Sequence, residues 1–280
     1  MWDNVVVSKP SRRQGTCTFC GSFGQLTRED FTPRWLGRFI AAQWPAQGPL
    51  ELVALSGGGD RPYSQDKHIV GNASAIKPAV VCQPCNNEWM KRLEDAVIHI
   101  LKPMMRGEEI VLDERSLKAI ATWAMKTALV FELVRRHGDT TASALDRAWF
   151  KEHRVPLPGA RIWAARYVGN LGASCQSRST LLTYDLDDPL SVPAPHGFIV
   201  VLAYGQLALR IAMVRSAPLL PTRFAVNEAE HLPTIWPRTE PLAWPPHLSL
   251  DDDGLIEFGR VNLPAAGVGA LERYGPPPYR

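Results

Sequence analysis

Between residues 117 and 131, apolar side chains recur at 117, 120, 121, 124, 125, 128 and 131, the spacing of one helix face. The stretch around them, LDERSLKAIATWAMKTALVFELVRRHG (112–138), supplies its own boundaries. Asp113 is an N-cap candidate with Glu114 in the first turn. Arg135, Arg136 and His137 suit the negative end of the helix dipole, and Gly138 suits the left-handed C′ position. So wide a stripe predicts a core helix, with Lys126 and Glu132 at its surface or in a salt bridge. A second helical pattern starts near residue 86, with apolar residues at 89, 90, 93, 97, 98 and 101, and Pro103 is its predicted stop. Asn86 or Asn87 is its candidate cap.

From about residue 160 the period changes. RIWAARYVG (161–169), RSTLLTYDL (178–186) and GFIVVLAYGQLALRIAMV (197–214) predict strands, with YGQL (204–207) as a hairpin turn. IWPRTEPLAWPP (235–246) predicts an extended segment packed on the surface by its tryptophans, because proline excludes a regular helix there. Residues 45–78 are rich in Gly, Pro and Ser, and SGGGDRP (56–62) predicts a loop. The expected fold is therefore α+β in three parts: a cysteine-bearing module over 14–102, a helical segment over 103–150, and a β-rich region with a Pro-rich tail over 151–280.

No apolar run reaches the roughly 18–20 residues of a membrane span. The start, MWDNVVVSKPSRRQG, places an acid early and its basic residues after the short apolar run, the wrong order for an export signal. The expected location is cytoplasmic. A net charge of +3 over 280 residues is too mild to mark a protein that coats nucleic acid. A local basic patch is available from Lys9, Arg12, Arg13, Arg28, Arg34 and Arg38.

The five cysteines change the picture. Four form two Cys-x-x-Cys pairs, Cys17/Cys20 and Cys82/Cys85. In a reducing compartment, paired thiols favour metal over disulfides. Two pairs complete the tetrahedron that structural zinc takes. The first pair runs into Gly21, as in a knuckle, and the second opens a helix. A knuckle, an excursion and a pair at a helix start is the layout of a treble clef. Cys175 stands alone and reads as a small core residue.

The segments CTFCGSFGQLTREDFTPRWL and VCQPCNNEWMKRLE, over about 17–37 and 81–94, resemble the His-Asn-His (HNH) endonuclease family. They look most like a group reading Cys-x-x-Cys, Glu-His-x-x-Pro-x-Trp-Leu, then Cys-x-x-Cys-Asn-x-x-Trp-Met. The resemblance implies a ββα-metal motif inside the clef, DNA as substrate, and a second divalent ion such as Mg²⁺ at the scissile phosphate. In that family a His takes the proton from water, while an acid and an Asn or His hold the ion. Carried over, Glu29 falls at the acid position and Asn86 at the helix position, with Glu94 as a further ligand or orienting group. Asp30 stands where the family has its His. It is a weaker base, so it serves as base, as further ligand, or marks an inactive site. His68 is the substitute base that the long insertion offers, and Asn72 the candidate for the middle Asn. If catalysis is lost, the expectation is a zinc protein that binds nucleic acid, or a protein partner through its C-terminal sheet. Against all of this, Glu29 and Asp30 also suit the entry to a short helix at TPRWLGRFIAAQ (32–43).

Overall fold

A computed structural model gives the structure of residues 13–29, 32–44, 50–58, 61–71, 78–133, 141–170, 173–181, 195–214 and 232–259. Of residues 28, 50–58, 61–71, 173–181, 195–197 and 214 it describes the backbone alone. Helix and sheet are mixed, as the change of period predicts. No helix among the described residues is long and apolar enough to cross a membrane.

The N-terminal elements are β1 (Gln14–Thr16), β2 (Phe23–Arg28) and α1 (Arg34–Gln43), then the hairpin β3 (Leu50–Gly58) and β4 (Arg61–Gly71), then β5 (Ala79–Cys82). Strands β1, β2 and β5 form a small antiparallel sheet. A helical turn begins at Gln83 and widens over Cys85–Met90 into π-helical pitch, running straight into α2 (Lys91–Arg106). The chain continues through β6 (Ile110–Leu112), α3 (Glu114–Glu132) and α4 (Ala144–His153). The remaining elements are β7 (Ala160–Tyr167), β8 (Ala173–Leu181), β9 (Pro195–Tyr204), β10 (Leu207–Val214), β11 (Thr234–Trp236), β12 (Leu242–Trp244), β13 (Ser249–Leu250) and α5 (Asp252–Phe258).

The large sheet runs β11-β7-β10-β9-β8-β3-β4, with β13 on the same outer edge of β7 as β11. Strand β3 joins it in parallel to β8, Glu51 opposite Ser174 through Gly57 opposite Thr180. The segment between the two cysteine pairs, predicted from composition to contain a loop, thus contributes two strands to a sheet built mainly by the C-terminal half.

Strands β7, β9 and β10 are buried on both faces, which explains their near-continuous apolar runs. One face, with Leu209, Ile211, Val200 and Leu202, meets α2 and α3. The other, with Trp163, Val201 and Ala212, meets Leu255 and Phe258 of α5. Gly205, at φ +55, makes the tight β9–β10 turn, and Gln206 N–H donates to Met105 O (2.8 Å).

Helix α3 starts where its sequence predicts: Asp113 Oδ1 accepts from Ser116 N (2.8 Å). Every residue from Ile120 to Glu132 is buried. Lys126 and Glu132 therefore lie inside the protein, contrary to a surface placement, and Glu132 Oε2 accepts from Ala142 N (2.9 Å). The expected C-terminal residues 135–138 lie outside the described residues.

Two other boundaries differ from expectation. Pro103 does not stop α2. Its ring removes one N–H from the ladder, but Met104 and Met105 are buried and hold the last turn against the core. Gly107, at φ +72, then closes the helix, with Gly107 N donating to Met104 O and Glu108 N to Pro103 O, both at 3.0 Å. At the other end, neither asparagine caps the helix, because the helical turn already begins before them. The Trp-Pro segment forms β11 and β12. Trp244 is buried, its Nε1 donating to Met104 O (3.2 Å), so this tryptophan anchors the segment inside the protein.

Candidate metal centre and its polar flank

The two Cys-x-x-Cys pairs are 62 residues apart and meet through backbone pairing. Strand β2 lies antiparallel to β5, with Leu26 opposite Cys82. The turn between β1 and β2 folds back on itself: Cys17 N donates to Ser22 O and Gly21 N to Cys17 O, each at 2.9 Å. Gly21 takes φ +72, a conformation that glycine adopts without steric cost. Thr18 pins this turn to β5, its N and Oγ1 both donating to Val80 O (3.0 and 3.1 Å). The second pair rides on the following helical turn.

All four Sγ atoms lie within 4.8 Å of one another. Cys20 and Cys82 are the closest cross-pair contact recorded, at 3.6 Å. That is far beyond the roughly 2.05 Å of a disulfide, and the four cysteines are free. A tetrahedral Zn²⁺ with Zn–S of about 2.3 Å sets its sulfurs about 3.8 Å apart. The donor set is soft, four-fold and closed, so the cluster could hold a metal ion such as zinc. The electrostatics of the bare thiols agree. Burial, with the neighbouring Cys17 and Cys82, pushes the Cys85 thiol well up. Burial likewise raises Cys82. At Cys20 burial also opposes ionisation, but hydrogen bonds from Ser22, Cys17 and Cys82 outweigh it and bring the thiol down to about 6. Four crowded sulfurs resist becoming thiolates together unless a cation joins them.

A polar strip flanks the cluster on the β2 side. Thr27 Oγ1 donates to Val81 O (3.0 Å) and accepts from Asn86 Nδ2 (3.1 Å). Two residues on, Glu29 N donates to Pro78 O (3.1 Å). The Glu29 carboxylate turns inward, where Lys126 Nζ of α3 donates to its Oε1 (3.1 Å) and also to Glu94 Oε1 of α2 (2.9 Å). The side chains of Lys126 and Glu29 are 0% and 3% exposed, that of Glu94 19%. Burial alone would lower the Lys126 pKa, but attraction to Glu94 and Glu29 exceeds it and holds the ammonium above its ordinary value.

Comparison of the chain with protein-family models, with curated proteins and with solved structures finds no match in any of the three.

Of the residues singled out in the sequence, the structure gathers Cys17, Cys20, Cys82 and Cys85 into one cluster. It sets Asn86 on Thr27 beside them and joins Glu29 to Glu94 through Lys126. Asp30 and Asn72 lie outside the described residues. His68 lies on β4, opposite Val53, and its side chain is among those not described, as is that of Cys175. Two participants were not singled out as site residues: Lys126, expected at the surface or in a salt bridge, and Thr27. Lys126 had one usable signal: an isolated charge inside ATWAMKTALVF must find a buried partner. Thr27 had none, because a threonine in a strand is ordinary.

Proposed function

We propose that this chain is an HNH-like, metal-dependent endonuclease that hydrolyses DNA phosphodiester bonds. Zinc in the four-cysteine cluster is its scaffold, and the β1–β2 knuckle, β5 and the following helix form a treble clef around it. The observation that carries this reading is the bond from Asn86 Nδ2 to Thr27 Oγ1 (3.1 Å). It ties the residue immediately after Cys85 to the strand that leads into Glu29 and Asp30, the pairing of helix start and strand that the family resemblance implies.

In this reading Asp30 accepts the proton of the attacking water and Asn86 orients the phosphate side of the site. A divalent ion such as Mg²⁺, held at Asn86, would offset charge building on the phosphate. Glu29 acts differently from its family counterpart. Its carboxylate is neutralised by Lys126, so it is a positioning residue that fixes the end of β2.

A second reading takes its support from that same ion pair. Both carboxylates beside the cluster are bound to one buried ammonium, which suits a scaffold that has given up catalysis and binds nucleic acid, or a protein through the C-terminal sheet.

Plasmid cleavage with Mg²⁺ or Mn²⁺ separates the two. Wild type should nick or linearise DNA, with Asn86→Ala and Asp30→Ala reduced about 10²-fold or more. Silent wild type with an active Asp30→His variant would establish the second reading. Folded, zinc-loaded protein that is silent in both forms would end the nuclease reading.

A further inference from the structure

Trp89 lies one helical turn beyond Cys85 and is nearly fully buried. Its ring meets Phe19 of the knuckle edge-on (centroids 5.5 Å) and Phe150 of α4 likewise (6.0 Å). The indole Nε1 is buried and makes no well-formed hydrogen bond to a described residue. A buried N–H without a partner is costly. Four residues before Trp89 stands Cys85, whose pKa burial raises; the indole opposes that rise without reversing it.

Over the same ring sits a cation. The Arg154 guanidinium lies 4.1 Å from the Trp89 centroid, within cation–π range. Burial lowers the Arg154 pKa; attraction to Cys85 opposes that shift and repulsion from Arg92 adds to it. Its backbone is unusual: it closes α4 at φ +55, the one left-handed non-glycine among the described residues. That conformation is unfavourable for any residue with a Cβ, and glycine would adopt it freely. Arginine there, stacked on the indole beside the cluster, calls for a reason in the side chain.

We propose that Trp89 and Arg154 form an outer layer of the metal centre, the indole N–H donating to the Cys85 thiolate and the guanidinium offsetting the site's net negative charge. Four thiolates around Zn²⁺ leave a formal charge of about −2, which a half-buried position must balance. Outer partners of metal ligands commonly set affinity. Arg154 also links the centre to the α4–β7 connection, so metal occupancy is communicated beyond the cysteine module. This rests on the metal reading of the four cysteines and is independent of nuclease activity.

The test is zinc competition between full-length protein and a chromophoric chelator, with Co²⁺ absorption as a second readout of the thiolate field. Trp89→Phe keeps the ring and removes the N–H. Arg154→Gly removes the cation while relieving the left-handed backbone, so it is expected to fold even if Trp89→Phe does not. Both should bind zinc about 10-fold to 100-fold more weakly than wild type, with shifted thiolate-to-cobalt bands. Arg154→Lys should recover much of the loss. Arg154→Gly that holds zinc as tightly as wild type, with unchanged cobalt bands, overturns the proposal whatever its melting temperature. Wild type that binds no zinc would instead remove the metal centre itself, a distinguishable failure.

Discussion

Replacing Lys126 with methionine should be among the most damaging single changes in this protein. The side chain is fully buried and donates to Glu29 Oε1 at 3.1 Å and Glu94 Oε1 at 2.9 Å. Methionine fills most of the volume, so little of the effect is a cavity. What remains is electrostatic: Glu29, 3% exposed, loses the ammonium that Lys126 sets against it. Removing one partner of a buried pair costs about 3–5 kcal/mol. An unfolding entropy of about 2.1 cal/mol/K per residue, taken over 280 residues, gives about 0.6 kcal/mol/K. The melting temperature should then fall by about 5–8 °C. Differential scanning calorimetry of zinc-loaded protein measures this directly.

The pH dependence carries a sign that packing loss does not. Lys126 has a raised folded-state pKa, so its contribution is fully present below the unfolded value of about 10.4 and declines as pH rises above it. The gap between wild type and variant should therefore be flat near neutrality and close in strong alkali. Adding Glu29→Gln to Lys126→Met should restore part of the loss. A single variant melting within about 2 °C of wild type, equivalent to roughly the 1 kcal/mol of an exposed pair, would refute the account of a buried, mutually dependent triad.

Two further outcomes are expected. Cys17→Ser or Cys85→Ser should abolish zinc uptake and unfold the N-terminal module, because metal binding and folding are coupled at such sites; elemental analysis beside circular dichroism checks both, and a stable zinc-free variant would count against the metal centre. Gly205→Ala should cost roughly 2 kcal/mol or more, since a Cβ there would meet Trp44 Cη2 at 2.3 Å and the Met105 carbonyl oxygen at 2.7 Å at a left-handed φ; urea denaturation measures it, and an unchanged midpoint would refute the close docking of this turn.

The parts of the fold visible in the sequence are those set by local chemistry. The Asp113 cap, the buried run of α3 and the YGQL turn each follow from residues within a few positions of one another. The cysteine cluster was legible for the same reason: the two-residue gap in each pair encodes a shared ligand direction. Boundaries failed where distant packing overrode local preference. Pro103 stays helical because Met104 and Met105 are buried, and Asn86 does not cap because the helical turn already begins before it, leaving its amide to Thr27, 59 residues earlier. The Glu29–Lys126–Glu94 arrangement could not be read from spacing at all. Its members lie up to 97 residues apart, and no periodicity connects them.

The hairpin of β3 and β4 has a consequence for how the molecule can be divided. It is threaded between the two cysteine pairs, yet its outer hydrogen-bonding partner is β8, more than a hundred residues later. A fragment ending at residue 102 would contain all four thiols and an unsatisfied row of β3 backbone groups, a template for self-association. The complementary fragment would offer the matching bare edge of β8. Expressed together, the two pieces should find each other; expressed apart, each should be prone to aggregate. Limited proteolysis confined to the connection after α2 would therefore nick the chain without releasing its halves.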